Sequence, residues 1–287
     1  MTLPAERIGE AFKAACRDEL EAPKPGNVHV FADGHRMTAD DFLRSAEAAA
    51  GPLSGPGARV GTRILGAVEA TFAAVGTNTN LGIILLCAPL AAAAEAGTND
   101  LHMALARVLD ALDEEDASLA FRAIVHAAPA GLGRVGYFDV HAPATVSLKR
   151  AMAEAAGRDR IAHQYVSAFS DVFEVGAPLL EEARQQPADA KWATLRVYLT
   201  FLSRFPDTHI VRKYGVRVAE DVREAAQRFH ARLGPGRPDD KLIADLLFWD
   251  ADLKAAGVNP GTSADLTVAC LFVHRLRNDL PLLRNNG

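Results

Sequence analysis

The residues of this 287-residue chain that could do chemistry concentrate in four short segments rich in Gly, Pro, Asn, Thr and charge. The first is Pro23-Lys24-Pro25-Gly26-Asn27-Val28-His29, followed by Asp33-Gly34-His35. Its prolines fix the path of the loop, Gly26 lets backbone approach a ligand closely, and Lys24 offers a point charge to a phosphate, with Asp33 and His35 as polar neighbours. The same residues also suit a rigid turn that ends a helix. The second segment is Gly76-Thr77-Asn78-Thr79-Asn80-Leu81-Gly82, which leads straight into an apolar run. Small polar residues there leave the first N–H groups of a helix facing a phosphate or carboxylate, with Asn78, Thr79 and Asn80 placed to touch it. A plain N-cap by Asn78 or Asn80 is the simpler account. Just upstream, Glu69 is either a carboxylate for a metal or a proton, or part of a solvated helix face.

The third segment runs from Phe205 to Gly215. Asp207 could hold Mg²⁺ there, and Thr208, Arg212 and Lys213 could meet phosphate oxygens. The competing account is an aspartate N-cap on a short helix with a basic last turn. The fourth is Asn259-Pro260-Gly261-Thr262-Ser263-Ala264-Asp265. Thr262 and Asp265 have the spacing of a capping box, which leaves Ser263 and the Asn-Pro-Gly lead-in unexplained. Gly261 and Ser263 then stand at a helix N-terminus suited to an anion.

The elements that must position these loops are helices. Alanine, the strongest helix former, is the commonest residue. Apolar residues recur at spacings of three and four: Val60, Ile64, Val68, Thr71 and Val75 share one face, as do Ile161, Tyr165, Phe169, Val172 and Phe173. Further helical runs cover 4–20, 39–51, 81–96, 99–110, 114–127, 145–156, 189–204, 216–232, 239–254 and 263–278. Only Val28–Phe31 and Gly136–Val140 read as short strands. Thr38 with Asp41 repeats the capping-box spacing. The expectation is an all-α fold, with residues 1–287 forming a single globular domain of about a dozen packed helices.

Composition narrows the setting. A net charge of −5 and an isoelectric point near 6.0 give no general attraction to nucleic acid. The opening MTLPAERIGE has no apolar core of a leader, and Ile83–Ala94 is too short to span a bilayer, so no membrane association is expected. Cys16, Cys87 and Cys270 lie far apart in apolar helical sequence, which fits reduced, packed thiols in a cytoplasmic protein. His102, His126, His163, His230 and His274 lack metal-ligand spacing. No HExxH, GxSxG or Walker A pattern occurs.

Taken in order, the four loops resemble the triphosphoribosyl-dephospho-CoA synthase family. The matching residues are Lys24-Pro25-Gly26 with Asp33-Gly34-His35, Asp41-Phe42, Ser45-Ala46, Glu69, and Asn78-Thr79 with Gly82. Asp207-Thr208 with Gly215, and Pro260-Gly261 with Ser263-Ala264-Asp265, complete the set. The resemblance spans residues 20–275 and implies an all-α, Mg²⁺-assisted glycosyl transfer. A ribose hydroxyl of dephospho-CoA attacks the anomeric carbon of ATP, and adenine leaves. It implies Glu69, Asp207 and Asp265 as acid/base carboxylates, with Glu69 and Asp207 also as Mg²⁺ ligands, and it is compatible with a homodimer. Where the family loop reads Asn-Thr-His-Lys-Gly, this chain has Asn78-Thr79-Asn80-Leu81-Gly82. The family's Gly-Arg-Gly-Glu-type segment is replaced by Gly131–His141, with Asp139. These departures leave other readings open: another ribosyl donor or cofactor precursor (a pterin-type one-carbon carrier), a Mg²⁺-dependent hydrolase of N-glycosidic or phosphate bonds, or a non-catalytic nucleotide-binding subunit.

Overall fold

A run that is apolar on every face, such as Ile83–Ala94, has to be surrounded by other elements. In the computed structural model of the chain, which describes residues 2–97, 100–129, 140–184, 190–234 and 236–282, other helices enclose it. In order these are α1 (Ala5–Leu20), α2 (Ala39–Leu53), α3 (Val60–Val75), α4 (Leu81–Glu95), α5 (Leu101–Ala111), α6 (Glu114–Ala127) and α7 (Leu148–Ala155). They continue with α8 (Arg160–Val166), α9 (Ala177–Arg184), α10 (Ala190–Arg204), α11 (Thr208–Tyr214), α12 (Val216–His230), α13 (Asp240–Ala255) and α14 (Gly261–Leu282). The apolar run is α4, and α1, α2, α3, α5, α8 and α14 pack around it. The fold is all-α, and no strand forms among the described residues. Val28–Phe31 is instead a tight turn with an isolated bridge from His29 to Ala32, and residues 136–139 of the second expected strand lie outside the described residues.

Two helices unite the core. One face of α10 buries Leu195, Tyr198, Leu199 and Leu202 against α12 and α13, while Val197 and Phe201 point into the larger cluster around α4. α14 does the same, with Ala264 in the smaller cluster and Leu266 to Leu276 in the larger. Its start is thereby wedged between both halves of the core, which is where the fourth loop lies.

Two sequence expectations need correction. The capping box of Thr38 and Asp41 forms, with Asp41 N donating to Thr38 Oγ1 at 3.2 Å and Thr38 N to Asp41 Oδ2 at 2.8 Å. That of Thr262 and Asp265 does not. Helix α14 begins at Gly261, so Thr262 already lies within its first turn, and its Oγ1 accepts from His209 N at 3.1 Å. The continuous face expected from Ile161 to Phe173 is also broken. Ala168 and Phe169 adopt positive φ of 49° and 61°, and Asp171–Gly176 forms a π-helical turn before α9. The buried Asp171 carboxylate holds this corner, accepting from Arg160 Nε at 2.7 Å and Nη2 at 2.8 Å and from Gln164 Nε2 at 2.6 Å.

Candidate active site

Because Thr262 is engaged elsewhere, the Asp265 side chain is left without a cap to make. It lies against the backbone of Gly82 at the start of α4, where any side chain on residue 82 would collide with its carboxylate. The Asp265 carboxylate has no hydrogen-bond partner among the described residues. Burial, then the charges of Asp207 and Glu19, push its carboxyl well above the ordinary carboxylate range. A carboxyl so placed holds a proton readily and takes up a cation readily.

Asp265 opens onto a cavity of about 790 Å³ to which all four loops contribute. The first loop supplies Asn27 and Met37, the second Gly76 to Thr79 with Leu81 and Gly82, the third His209, Val211 and Arg212, and the fourth Asn259, Gly261, Thr262, Ala264 and Asp265. Phe72 of α3, Phe121 and Ile124 of α6, Met152 of α7 and Ile161 of α8 make an apolar wall. Glu19, buried at the end of α1, is the second deep carboxylate. Behind it Lys24 Nζ lies 3.1 Å from Glu19 Oε1 and donates to the carbonyls of Glu19 and Val28, both at 2.8 Å. Burial pushes Glu19 up and Lys24 down, and each charge opposes the other's shift.

The cations lie elsewhere on the lining. Arg158 is exposed, and half-buried Arg212 reaches Asp159 Oδ2 at 3.1 Å while Asp159 Oδ1 caps α8. Anionic groups deep inside and cations near solvent suit a ligand with phosphates at one end and a reacting centre at the other. His209 contributes no charge to this field. Burial, helped by Arg212, Lys213 and His35, lowers its imidazole from 6.5 to about 4. The unfolded chain therefore takes up a proton near pH 6.5 that the native state refuses until about pH 4, so stability present above 6.5 is lost as pH falls between the two. His209→Gln is expected to flatten this acid limb, measured as urea midpoints at pH 7.5 and pH 5.

Of the residues expected to form the site, Asn78, Thr79, Arg212, Gly261 and Asp265 line the cavity. Asn78 Oδ1 accepts from Leu81 N at 3.1 Å, and Thr79 Oγ1 donates to Ser45 Oγ at 2.7 Å. The others take different places. Lys24 is buried beneath Glu19 and cannot reach a phosphate. Gly26 (φ 80°) lets its loop approach Leu253 and Pro260, not a ligand. His35 Nε2 donates to Gly26 O at 2.7 Å, and the exposed Asp33 accepts from Ala39 N at 3.3 Å. Glu69 is exposed outside the lining, on the same helix face as Phe72 and Gly76. Asn80 is buried with its Nδ2 unpartnered, Thr208 pairs with Thr262 at 3.0 Å, and Lys213 is exposed beside the Tyr214 ring.

Asp207 is the largest correction. It is fully buried, and its oxygens are fully used. Oδ1 accepts from His209 N at 3.0 Å and Ile210 N at 3.3 Å, and Oδ2 accepts from Ser263 N and Ser263 Oγ, each at 2.8 Å. It caps α11 and ties that cap to the start of α14, which leaves no oxygen for Mg²⁺. Burial raises its carboxyl, and the four donors oppose the shift. Sequence reasoning missed Glu19, His209, Asn27 and Asn259. The last three stand inside the loops it singled out, so the signal was present at the level of the segment.

The fold is all-helical and its four loops share one cavity, an arrangement with a solved relative. A structure of a protein from Archaeoglobus fulgidus assigned as a triphosphoribosyl-dephospho-CoA synthase matches with a TM-score of 0.64 and 25% identity, over 81% of this chain and 97% of that one. No curated protein matches the chain. The family model CitG, ATP:dephospho-CoA triphosphoribosyl transferase, matches residues 5–282, and the chain belongs to this transferase family. Within it, residue 81 is a leucine on the cavity wall and residue 80 an asparagine turned into the core. Gly131–Asp139, the other departure from the family pattern, lies outside the described residues.

Proposed function

We propose that the chain moves the triphosphoribosyl unit of ATP to a ribose hydroxyl of dephospho-CoA and releases adenine, with Asp265 as the proton-transfer carboxylate. The observation that carries this reading is a half-buried carboxyl without a hydrogen-bond partner among the described residues, on a cavity fed by four loops. The hydroxyl oxygen forms its bond to the anomeric carbon as the bond to the base nitrogen breaks, and the electron pair of that bond leaves with adenine. The hydroxyl proton passes to the Asp265 carboxylate, which can return it to the departing base. The second carboxylate, Glu19, favours the positive charge that develops on the sugar, as carboxylates do in glycosidases. Arg158 and Arg212 supply the phosphate end.

Asp265 also fits Mg²⁺, which needs only one or two protein carboxylates when substrate phosphates complete its shell. Among the described residues no three acidic, His or Cys side chains form a cluster of their own. When bound, the ion would neutralise phosphate charge. The setting we propose is the cytoplasm, where the buried free thiols Cys16, Cys87 and Cys270 stay reduced. Among the described residues no helix is long and apolar enough to cross a membrane.

The test is adenine release from ATP with and without dephospho-CoA. Release that requires the acceptor supports the transferase; release without it makes the chain a hydrolase; binding without release makes it a nucleotide-binding subunit. Leu81 on the wall favours a second reading of the donor, in which fewer phosphates are bound. Calorimetry comparing ATP with phosphoribosyl pyrophosphate decides that point, since tighter ATP binding rejects it.

A further inference from the structure

We infer that the linked side-chain amides of Asn27 and Asn259 read the amine-bearing edge of adenine, and so set the base specificity of the cavity. This rests on the nucleotide reading above and deepens it. Asn27 Nδ2 donates to Asn259 Oδ1 at 2.9 Å, across 232 residues of sequence. A primary amide has two donors and an acceptor, so one bond between two of them leaves a carbonyl oxygen on Asn27 and an amino group on Asn259. Neither group has a further partner among the described residues, and both residues line the cavity. Exchanging oxygen and nitrogen in both amides keeps the same two functions with their places swapped.

An acceptor and a donor offered by linked amides match adenine, whose exocyclic N–H donates next to a ring nitrogen that accepts. Hypoxanthine and guanine carry a carbonyl oxygen in place of that amine and set two acceptors against each other. The pair is held firmly enough to discriminate. Gly26 N donates to Asp250 Oδ1 at 2.8 Å, Asn27 N to Lys24 O at 3.1 Å, and Tyr198 OH to Pro25 O at 2.7 Å. On the other side Gly261 N donates to Asn259 O at 2.9 Å, and Pro260 is wedged against Gly26. His209, beside Gly261, adds an uncharged ring to the same part of the lining. Asp265 lies four residues along α14 from Gly261, about 6 Å at the helical rise. The two amides and Asp265 thus line the same cavity.

Adenine occurs in both ATP and dephospho-CoA, and the experiment separates the two. Wild type, Asn27→Leu, Asn259→Leu and the near-isosteric Asn259→Asp are titrated with ATP, ITP and inorganic tripolyphosphate, and with dephospho-CoA and its hypoxanthine analogue. Wild type should prefer ATP to ITP by about tenfold or more, and each variant should reduce this to about twofold, as expected for loss of a bidentate base contact. Tripolyphosphate affinity should be unchanged. If the preference appears for dephospho-CoA alone and is lost in the variants, the amides still read adenine, but that of the acceptor. If wild type binds adenine and hypoxanthine forms alike, or the preference survives in every variant, the amides merely tie two loops together and the inference fails while the transferase reading stands. If neither tripolyphosphate nor any nucleotide binds, both readings fall.

Discussion

Asp265→Asn is expected to lower the rate of acceptor-dependent adenine release by roughly a thousandfold, within the usual range for loss of a positioned acid–base group. The amide matches the carboxyl in size, so it fits against Gly82 and leaves α4 and α14 in place, yet it can neither take the hydroxyl proton nor bind a cation. Stability should move the other way. A carboxyl whose folded pKa is raised contributes stability at low pH that is lost as pH rises from its unfolded range through its folded one. An amide does not titrate, so the variant's stability relative to wild type should improve as pH increases across that window. Stopped activity with an equal or higher melting temperature at pH 8 is the signature of a group placed for chemistry at the expense of the fold. Normal turnover in a well-folded variant would remove Asp265 from the mechanism.

Asp207→Asn should show the opposite pattern: a loss of roughly 2–4 kcal/mol of stability, with turnover per folded molecule changed far less. Asparagine still caps α11 through its oxygen. Its amino group then faces Ser263 N, a donor meeting a donor at a fully buried site. The Ser263 hydroxyl can turn to accept, but the backbone N–H cannot. Urea unfolding measures the first quantity, and adenine release scaled to the folded fraction measures the second. A variant of full stability that loses only its Mg²⁺-dependent turnover would return Asp207 to the metal.

The two aspartates show how far the sequence could be read. Helix positions were legible because apolar spacing and caps are local, and α6 was bounded correctly at Glu114 and Ala127. Convergence of the four loops was legible from their shared chemistry at helix ends. What each side chain does within a loop was not, because that depends on burial and on partners dozens to hundreds of residues away. Lys24 reads as a free cation until Glu19 is seen between it and the cavity. Thr262 and Asp265 read as a capping box until His209 N, from another helix, claims the threonine oxygen. The break at Ala168 escaped notice for a related reason: the apolar pattern runs through it, and only the tie from Asp171 to Arg160 and Gln164 turns the chain.

Contacts at and behind the cavity join segments far apart in the sequence: Asn27 with Asn259, Gly26 with Asp250, and, between α1 and α14, Asp18 with Arg275. Synthesis proceeds from the N-terminus, so α1 and its loop leave the ribosome long before α14 exists to meet them. Until then the apolar α4 lacks one of the helices that cover it. The nascent chain therefore has no completed cavity until α14 has been made, and a chain cut short before α14 would present an uncovered α4 to chaperones and proteases.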